Sequence, residues 1–290
     1  MRKLAVFLFK SLITLFSGYG LGYKIPFARK IVNYTTNKLK KKSDKVTVYG
    51  HNLTIDENDS LQLSIWPNYE PLIADIFYSE VKTGDVVLDI GANIGVFTLL
   101  GAKLVGSEGS VYAFEPDPEN FSLLTQNVNQ SRYKNITLVN KAVNSQTCPL
   151  KLYQSESNRG DHQIHDSGQN RKFISVQGVA IDDYFDENEK RVKLIKMDIQ
   201  GAEWDAIQGM SNILNQDHPL IIISELWPFG LLRAGVSTEI YLSFMKERNF
   251  EIFHINHASN QLIKMDIDNV IKLFHIEDTE WSSNLLFTRT

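Results

Sequence analysis

The segment Val86-Val87-Leu88-Asp89-Ile90-Gly91-Ala92-Asn93-Ile94-Gly95 constrains this chain more than any other. An apolar run of the length of a buried parallel strand ends in an Asp, then in two glycines three residues apart. Val96-Phe97-Thr98-Leu99-Leu100 continues with helical character. A turn of this kind needs glycine where a ligand approaches the backbone. Strand, turn and helix together put backbone N–H groups and a helix N-terminus at the mouth of an α/β sheet. A second strand, Val111-Tyr112-Ala113-Phe114-Glu115-Pro116, ends in an acid 26 positions after Asp89. A carboxylate there can accept both hydroxyls of a ribose.

Glycine spacing separates two cofactor classes. A dinucleotide site uses G-x-G-x-x-G so that a pyrophosphate can rest against the helix. This chain has G-x-x-x-G, with Asp89 before the first glycine and bulky Ile94 before the second. An anionic Asp is a poor neighbour for pyrophosphate and a good one for a cation. S-adenosylmethionine carries a sulfonium, an amine and a ribose and no phosphate, so it is the expected cofactor.

Beyond this unit, strands and helices alternate. Expected elements are a helix from Pro71 to about residue 81, strand Val86–Ile90, helix 94–105, strand Val111–Glu115, helix 118–129 and strand Ile136–Asn140. After a polar loop at 154–172, flanked by Leu150–Tyr153 and Phe173–Val176, come strand Leu194–Ile199, helix 202–214 and strand Leu220–Glu225. Helix 238–248 and strands Phe250–Ile255 and Leu285–Thr288 close the chain. Asp117 before Pro118 is a helix start, N-cap followed by proline. Short strands are expected over 46–62, with His51-Asn52 as their turn. Alternation of this kind specifies a mostly parallel sheet with helices on both faces, which binds ligands beyond the strands' carboxyl ends. Those ends carry Asp89, Glu115, Asn140, Asp198 and Glu225. Four acids and an amide at five apolar strand tips are poor core packing, since buried carboxylates are costly without partners. Asn93 reads most simply as a turn residue, and Asn140 either reaches an adenine edge or closes its strand.

Charge divides the chain in two. Residues 1–45 hold eleven Lys or Arg and one acid, a net +10; the other 245 residues carry −14. A negative body argues against nucleic acid as a substrate, because binding to duplexes rests on neutralising phosphates. Cys148 is the only cysteine, which excludes an internal disulfide and suits a reducing, cytoplasmic compartment. Leu4–Gly22 is apolar but interrupted by Lys10, about the minimum length for a membrane span, and followed by no A-x-A cleavage site. Eight Lys or Arg follow between Lys24 and Lys45. An apolar anchor with a polybasic stretch suits peripheral attachment to the anionic inner membrane face. The other reading is a helix that packs on its own domain or on a second copy in a homodimer. Three regions are thus expected: an arm at 1–45, strands and a helix at 46–84, and a catalytic α/β domain at 85–290.

The strand–turn motif, Phe114-Glu115-Pro116-Asp117, Ile195-Lys196-Met197-Asp198-Ile199-Gln200-Gly201-Ala202-Glu203 and Ser224-Glu225-Leu226 resemble the FkbM family of S-adenosylmethionine-dependent methyltransferases. The likeness is close over about residues 85–255 and weaker in Tyr69-Glu70-Pro71 and Asn158-Arg159-Gly160-Asp161-His162. The resemblance implies a Rossmann-like class I methyltransferase fold, a seven-stranded sheet with its last strand antiparallel. It also implies O-methylation of a sugar, glycan, glycolipid or related metabolite. Cofactor contacts are expected from Glu70, Asp89, Gly91, Asn93, Gly95, Glu115, Pro116 and Asn140. The family often carries Glu where this chain has Gln200.

An alcohol is a weak nucleophile and gains from a base near its proton. Asp198 is the first choice for that base and His162, in the polar loop, the second; Glu225 is expected to bind acceptor hydroxyls. Glu203 reads as a first-turn acid that favours the helix dipole. Asp161, His162, Asp198 and Glu225 could together hold Mg²⁺, whereas no His or Cys spacing supports zinc. The alternative to an enzyme is a membrane-associated binding or scaffold protein that keeps this fold without turnover.

Overall fold

The computed structural model describes Thr35 and residues 44–156, 158–168, 170–185, 191–274 and 282–289. The arm read at 1–45 lies outside them except for Thr35, Asp44 and Lys45. No helix among the described residues is long and apolar enough to cross a membrane.

Eight strands form the central sheet: β3 (Val86–Ile90), β4 (Ser110–Phe114), β5 (Ile136–Val139), β9 (Val192–Met197), β10 (Leu220–Leu226), β11 (Glu251–Asn256), β12 (Gln261–Met265) and β13 (Ser283–Arg289). Their spatial order is β12-β11-β13-β10-β9-β3-β4-β5. The five strands from β10 to β5 are mutually parallel, and β13 runs antiparallel to both β10 and β11. This is the expected seven-stranded arrangement, with β12 added antiparallel to the β11 edge. β12 is exposed along most of its length, and its apolar residues do not alternate with polar ones, so it does not stand out in the sequence.

Successive side chains of a strand point to opposite faces, and the core follows that rule. Val86, Leu88 and Ile90 join one apolar cluster with Ile195, Met197 and Ile222. Val87 joins the other with Leu194 and Ile223, beneath helices Pro71–Glu80 and Val96–Val105. Leu88 and Leu194 are fully buried, so truncating either to Ala would cost about 2–5 kcal/mol. The same alternation sends Asp89 and Lys196 to the second face, where Asp89 and Lys196 are Cα partners across β3 and β9.

Two smaller sheets flank this core. β1 (Lys45–Val48) and β2 (His51–Thr54) form a hairpin. Its turn is Tyr49-Gly50, at φ 49 and 85, and not His51-Asn52 as expected. Two consecutive positive-φ residues match the twist of a tight hairpin, whereas His51 pairs with Val48. Leu61 and Leu63, read as strand, lie in turns instead, where Asp59 accepts from the Leu63 and Ser64 N–H groups. β6 (Ala142–Val143), β7 (Pro149–Tyr153) and β8 (Phe173–Val179) make a three-stranded sheet in the order β6-β8-β7. The helix expected at 202–214 is broken into Glu203–Gln208 and Ser211–Leu214. Gly209 lies at the break, so close to Asn144 that a Cβ would meet its carbonyl oxygen at 2.1 Å.

Candidate active site

Strand order reverses direction between β3 and β9, which opens a crevice at their carboxyl ends. Asp89 lies near the end of β3, 1% exposed, and its Oδ2 accepts from Thr98 Oγ1 at 2.5 Å. Its Oδ1 is buried with no partner. Gly91 follows at φ 78 with Asp198 packed against it; a Cβ there would stand 2.2 Å from the Asp198 carbonyl oxygen. Gly95, at φ 95, faces Leu124, whose Cδ1 a Cβ would approach to 2.7 Å. Crowding against backbone thus requires glycine at Gly91, and the left-handed φ requires it at Gly95.

Asn93, between them at φ 50, donates its backbone N–H to Glu115 Oε2 at 2.8 Å. Glu115 Oε1 accepts the Asp117 N–H at 3.0 Å. The Glu115 carboxyl is buried, and burial pushes its pKa up to about 7, against the stabilising backbone donors. Asn140 Nδ2 donates to the carbonyls of Glu115 and Pro116 at 2.8 and 3.2 Å. Its amide donor thus ties the tips of β4 and β5 together, and Lys141, Ala142 and Val143 line the cavity beyond it.

The loop after β9 is held by Glu203, whose two oxygens accept the Ile199 and Gly201 N–H groups at 3.0 Å each. The first-turn acid expected to serve the helix dipole thus closes the loop that presents Asp198. Gln200, at φ 57, donates from Nε2 to Asp198 Oδ1 at 3.0 Å and to Glu225 Oε2 at 2.8 Å. One neutral amide therefore holds two carboxylates together. A Glu here would set three like charges in contact, so the departure at Gln200 changes the electrostatics of this corner. Burial, and then Asp198 and Glu203, push the Glu225 pKa well above the usual range.

Lys196 was read only as part of a strand, yet it is central. It is 4% exposed, with Nζ 3.5 Å from Asp198 Oδ2 and 5.3 Å from the centroid of the Phe97 ring. Burial lowers its pKa, but Asp198, Glu70 and Asp89 outweigh that and the net direction is up. A charged residue inside Leu194-Ile195-Lys196-Met197 was the available signal. Its partners became legible only with the strand order. Glu70, the left-handed residue before Pro71, accepts from Asn284 at 3.2 Å through Oε1, and its Oε2 is buried without a partner. Burial raises the Glu70 pKa to about 7.

The segment between β7 and β8 covers these strand tips. The Arg159 carbonyl accepts from Asn120 Nδ2 at 3.0 Å, and its guanidinium pairs with Glu119. His162 Nδ1 accepts the Ser155 N–H at 3.0 Å, leaving Nε2 3.7 Å from Asp117 Oδ2. That contact fixes the tautomer with its proton on Nε2, and burial lowers the His162 pKa. In this arrangement the Nδ1 lone pair of His162, the second-choice base, is engaged by the Ser155 N–H. The residues suggested for Mg²⁺ are likewise engaged elsewhere: Asp161 pairs with Arg171 at 2.6 Å, and Asp198 and Glu225 both accept from Gln200. Among the described residues no group of three or more His, Cys, Asp or Glu is placed to hold a metal.

Two adjoining cavities result, both bordered by Gly91, Asn93, Gly160 and Asp198. One runs over Glu115, Pro116 and His162 toward Val143. The other is lined by Tyr69, Asp89, Phe97 and Lys196.

A glycine turn with acidic strand tips, at the reversal point of a 3-2-1-4-5-7-6 type sheet, defines the Rossmann-like class I methyltransferase fold. The Methyltransferase FkbM domain family matches residues 89–252, and the chain belongs to that family. Among curated relatives, it is 25% identical over 149 residues to the hexuronic acid methyltransferase AglP of Haloferax volcanii, covering 51% of this chain and 59% of that one. To the 31-O-demethyl-FK506 methyltransferase FkbM of Streptomyces tacrolimicus it is 47% identical over 53 residues, 18% of this chain and 20% of that one. The crystal structure of a methyltransferase FkbM from Methylobacillus flagellatus KT superposes with a TM-score of 0.41 at 17% identity, covering 80% of this chain and 56% of that one. The chain spans about three-fifths or less of the length of the curated relatives it matches.

Proposed function

We propose that this protein is an S-adenosylmethionine-dependent methyltransferase acting on a hydroxyl of a sugar, glycan or related metabolite. The observation that carries the cofactor is the pairing of Glu115 with the Asp89-Gly91-Gly95 turn through the Asn93 N–H. The crevice has acids where a dinucleotide site needs a pyrophosphate cradle. The unpartnered Asp89 Oδ1 suits a cationic donor, so the residues fit an amine-bearing, phosphate-free cofactor. Glu115 and Pro116 would hold the ribose end, and Asp89 the amine. When bound, S-adenosylmethionine supplies an activated methyl group on its sulfonium.

Asp198 borders both cavities and carries a partly exposed carboxylate, 25% accessible, facing the crevice. Its position at the crevice supports it as the base that takes the proton of an acceptor hydroxyl, with Gln200 fixing its orientation. Glu225, expected to bind acceptor hydroxyls, is instead buried and borders neither cavity; it accepts from the same amide and so helps hold Gln200. Clustered carboxylates and an amide are the donor–acceptor set a polyhydroxyl acceptor uses. The family and the name of its hexuronic acid relative support the same class.

Mass spectrometry of glycans and lipids from cells with and without the gene tests this reading. Loss of one CH₂ from a defined sugar hydroxyl in the deletion, restored by the intact chain and not by Asp198→Asn, is expected. Unchanged glycans and glycolipids, with a methylated product of another chemical class, would remove the acceptor assignment.

A further inference from the structure

Lys196 has more hydrogen-bonding capacity than its surroundings use. An ammonium carries three N–H donors, and charge-assisted bonds from nitrogen to carboxylate oxygen run about 2.7–2.9 Å. Lys196 has one contact of 3.5 Å to Asp198 Oδ2. It is nevertheless 4% exposed and borders the cavity that Tyr69, Asp89 and Phe97 line. Asp198, Glu70 and Asp89 offset its charge, but they leave N–H donors of the buried ammonium without a short partner, and a ligand oxygen in this cavity would satisfy them.

The neighbouring strand carries the complementary demand. Asp89, the Cα partner of Lys196, lines the same cavity and has Oδ1 buried without a partner. A cation-seeking oxygen and an anion-seeking ammonium on adjacent strand positions select a zwitterion, an amine and a carboxylate on one carbon. We infer that Lys196 binds the α-carboxylate of the cofactor's amino-acid end, opposite the amine held at Asp89. This rests on the cofactor reading above and adds a selectivity to it: the site discriminates for the carboxylate as well as for the sulfonium nucleoside. A purely structural Lys196, neutralising Asp198, Glu70 and Asp89, would show no such discrimination.

Calorimetric titration of the full chain with S-adenosylhomocysteine and with its decarboxylated analogue separates these cases. The intact chain should bind S-adenosylhomocysteine roughly 10- to 100-fold more tightly, the range for a hydrogen-bonded charged pair. Lys196→Met should bring the two affinities together by weakening the carboxylate-bearing ligand alone. Equal affinities in the intact chain would overturn the assignment and leave the cofactor reading standing. Binding of neither ligand would overturn both. The two-ligand comparison on the intact chain decides the matter even if Lys196→Met fails to fold.

Discussion

The backbone N–H of Asn93 donates to Glu115 Oε2 at 2.8 Å, so the carboxylate at the tip of β4 holds the glycine turn that follows β3. Glu115 therefore shapes the proposed cofactor site as well as lining it. Glu115→Ala should weaken S-adenosylhomocysteine binding by about 1.5–3 kcal/mol, the range for hydrogen bonds to a charged group. Calorimetry on the two proteins measures the difference directly. An unchanged dissociation constant would place the ribose elsewhere.

Asp198 meets the Gln200 amide at 3.0 Å and lies on the border of both cavities. Asp198→Asn keeps the shape and removes the basic carboxylate. Turnover should fall about 10²–10⁴-fold while cofactor affinity changes little. Full activity in the Asn protein would show that the acceptor hydroxyl needs no base from this position.

Cofactor binding should strengthen as pH rises. Burial pushes the Glu115 carboxyl up to about 7 in the free protein, and ribose hydroxyls bind best to its ionised form. Below that value a proton must be lost on binding, so affinity should fall by up to about tenfold per pH unit. Stability runs the other way. A carboxyl whose pKa is raised on folding contributes stability that is present below about 4.5 and is lost as pH rises through about 7. Titrations at pH 6 and pH 8 check the first statement and thermal melts the second. Glu115→Gln should flatten both trends.

Much of this site was legible in the sequence because strand tips are local features. The apolar run, its closing Asp89 and the glycine pair specify strand, turn and helix without reference to anything distant. Glu115 and Asp198 follow from the same rule. What was not legible depends on partners far along the chain. His162 loses its lone pair to the Ser155 N–H, and the Asn140 amide is spent on the carbonyls of Glu115 and Pro116. Lys196 acquires its meaning only when β9 lies beside β3. The hairpin turn at Tyr49-Gly50 was missed for a different reason, because a Tyr with positive φ carries no compositional signal.

Backbone strain and crowding at the glycines separate in stability measurements. Gly84, at φ 90, has nothing within 4 Å of a Cβ, so Gly84→Ala should cost about 1–2 kcal/mol of left-handed strain. Gly91→Ala adds a Cβ 2.2 Å from the Asp198 carbonyl oxygen. Its cost should exceed that of Gly84→Ala, reaching on the order of 3 kcal/mol or more as the backbone after β9 is displaced. Urea unfolding midpoints compare the two. Equal costs would mean that the loop after β9 moves aside freely.

The most direct measurement of the central claim is a calorimetric titration of the intact chain with S-adenosylhomocysteine and, separately, with NAD. Asp89 and Glu115 at adjacent strand tips, with no pyrophosphate cradle, require binding of the first and at most feeble binding of the second. Tighter binding of NAD, or no heat with S-adenosylhomocysteine, would contradict the account.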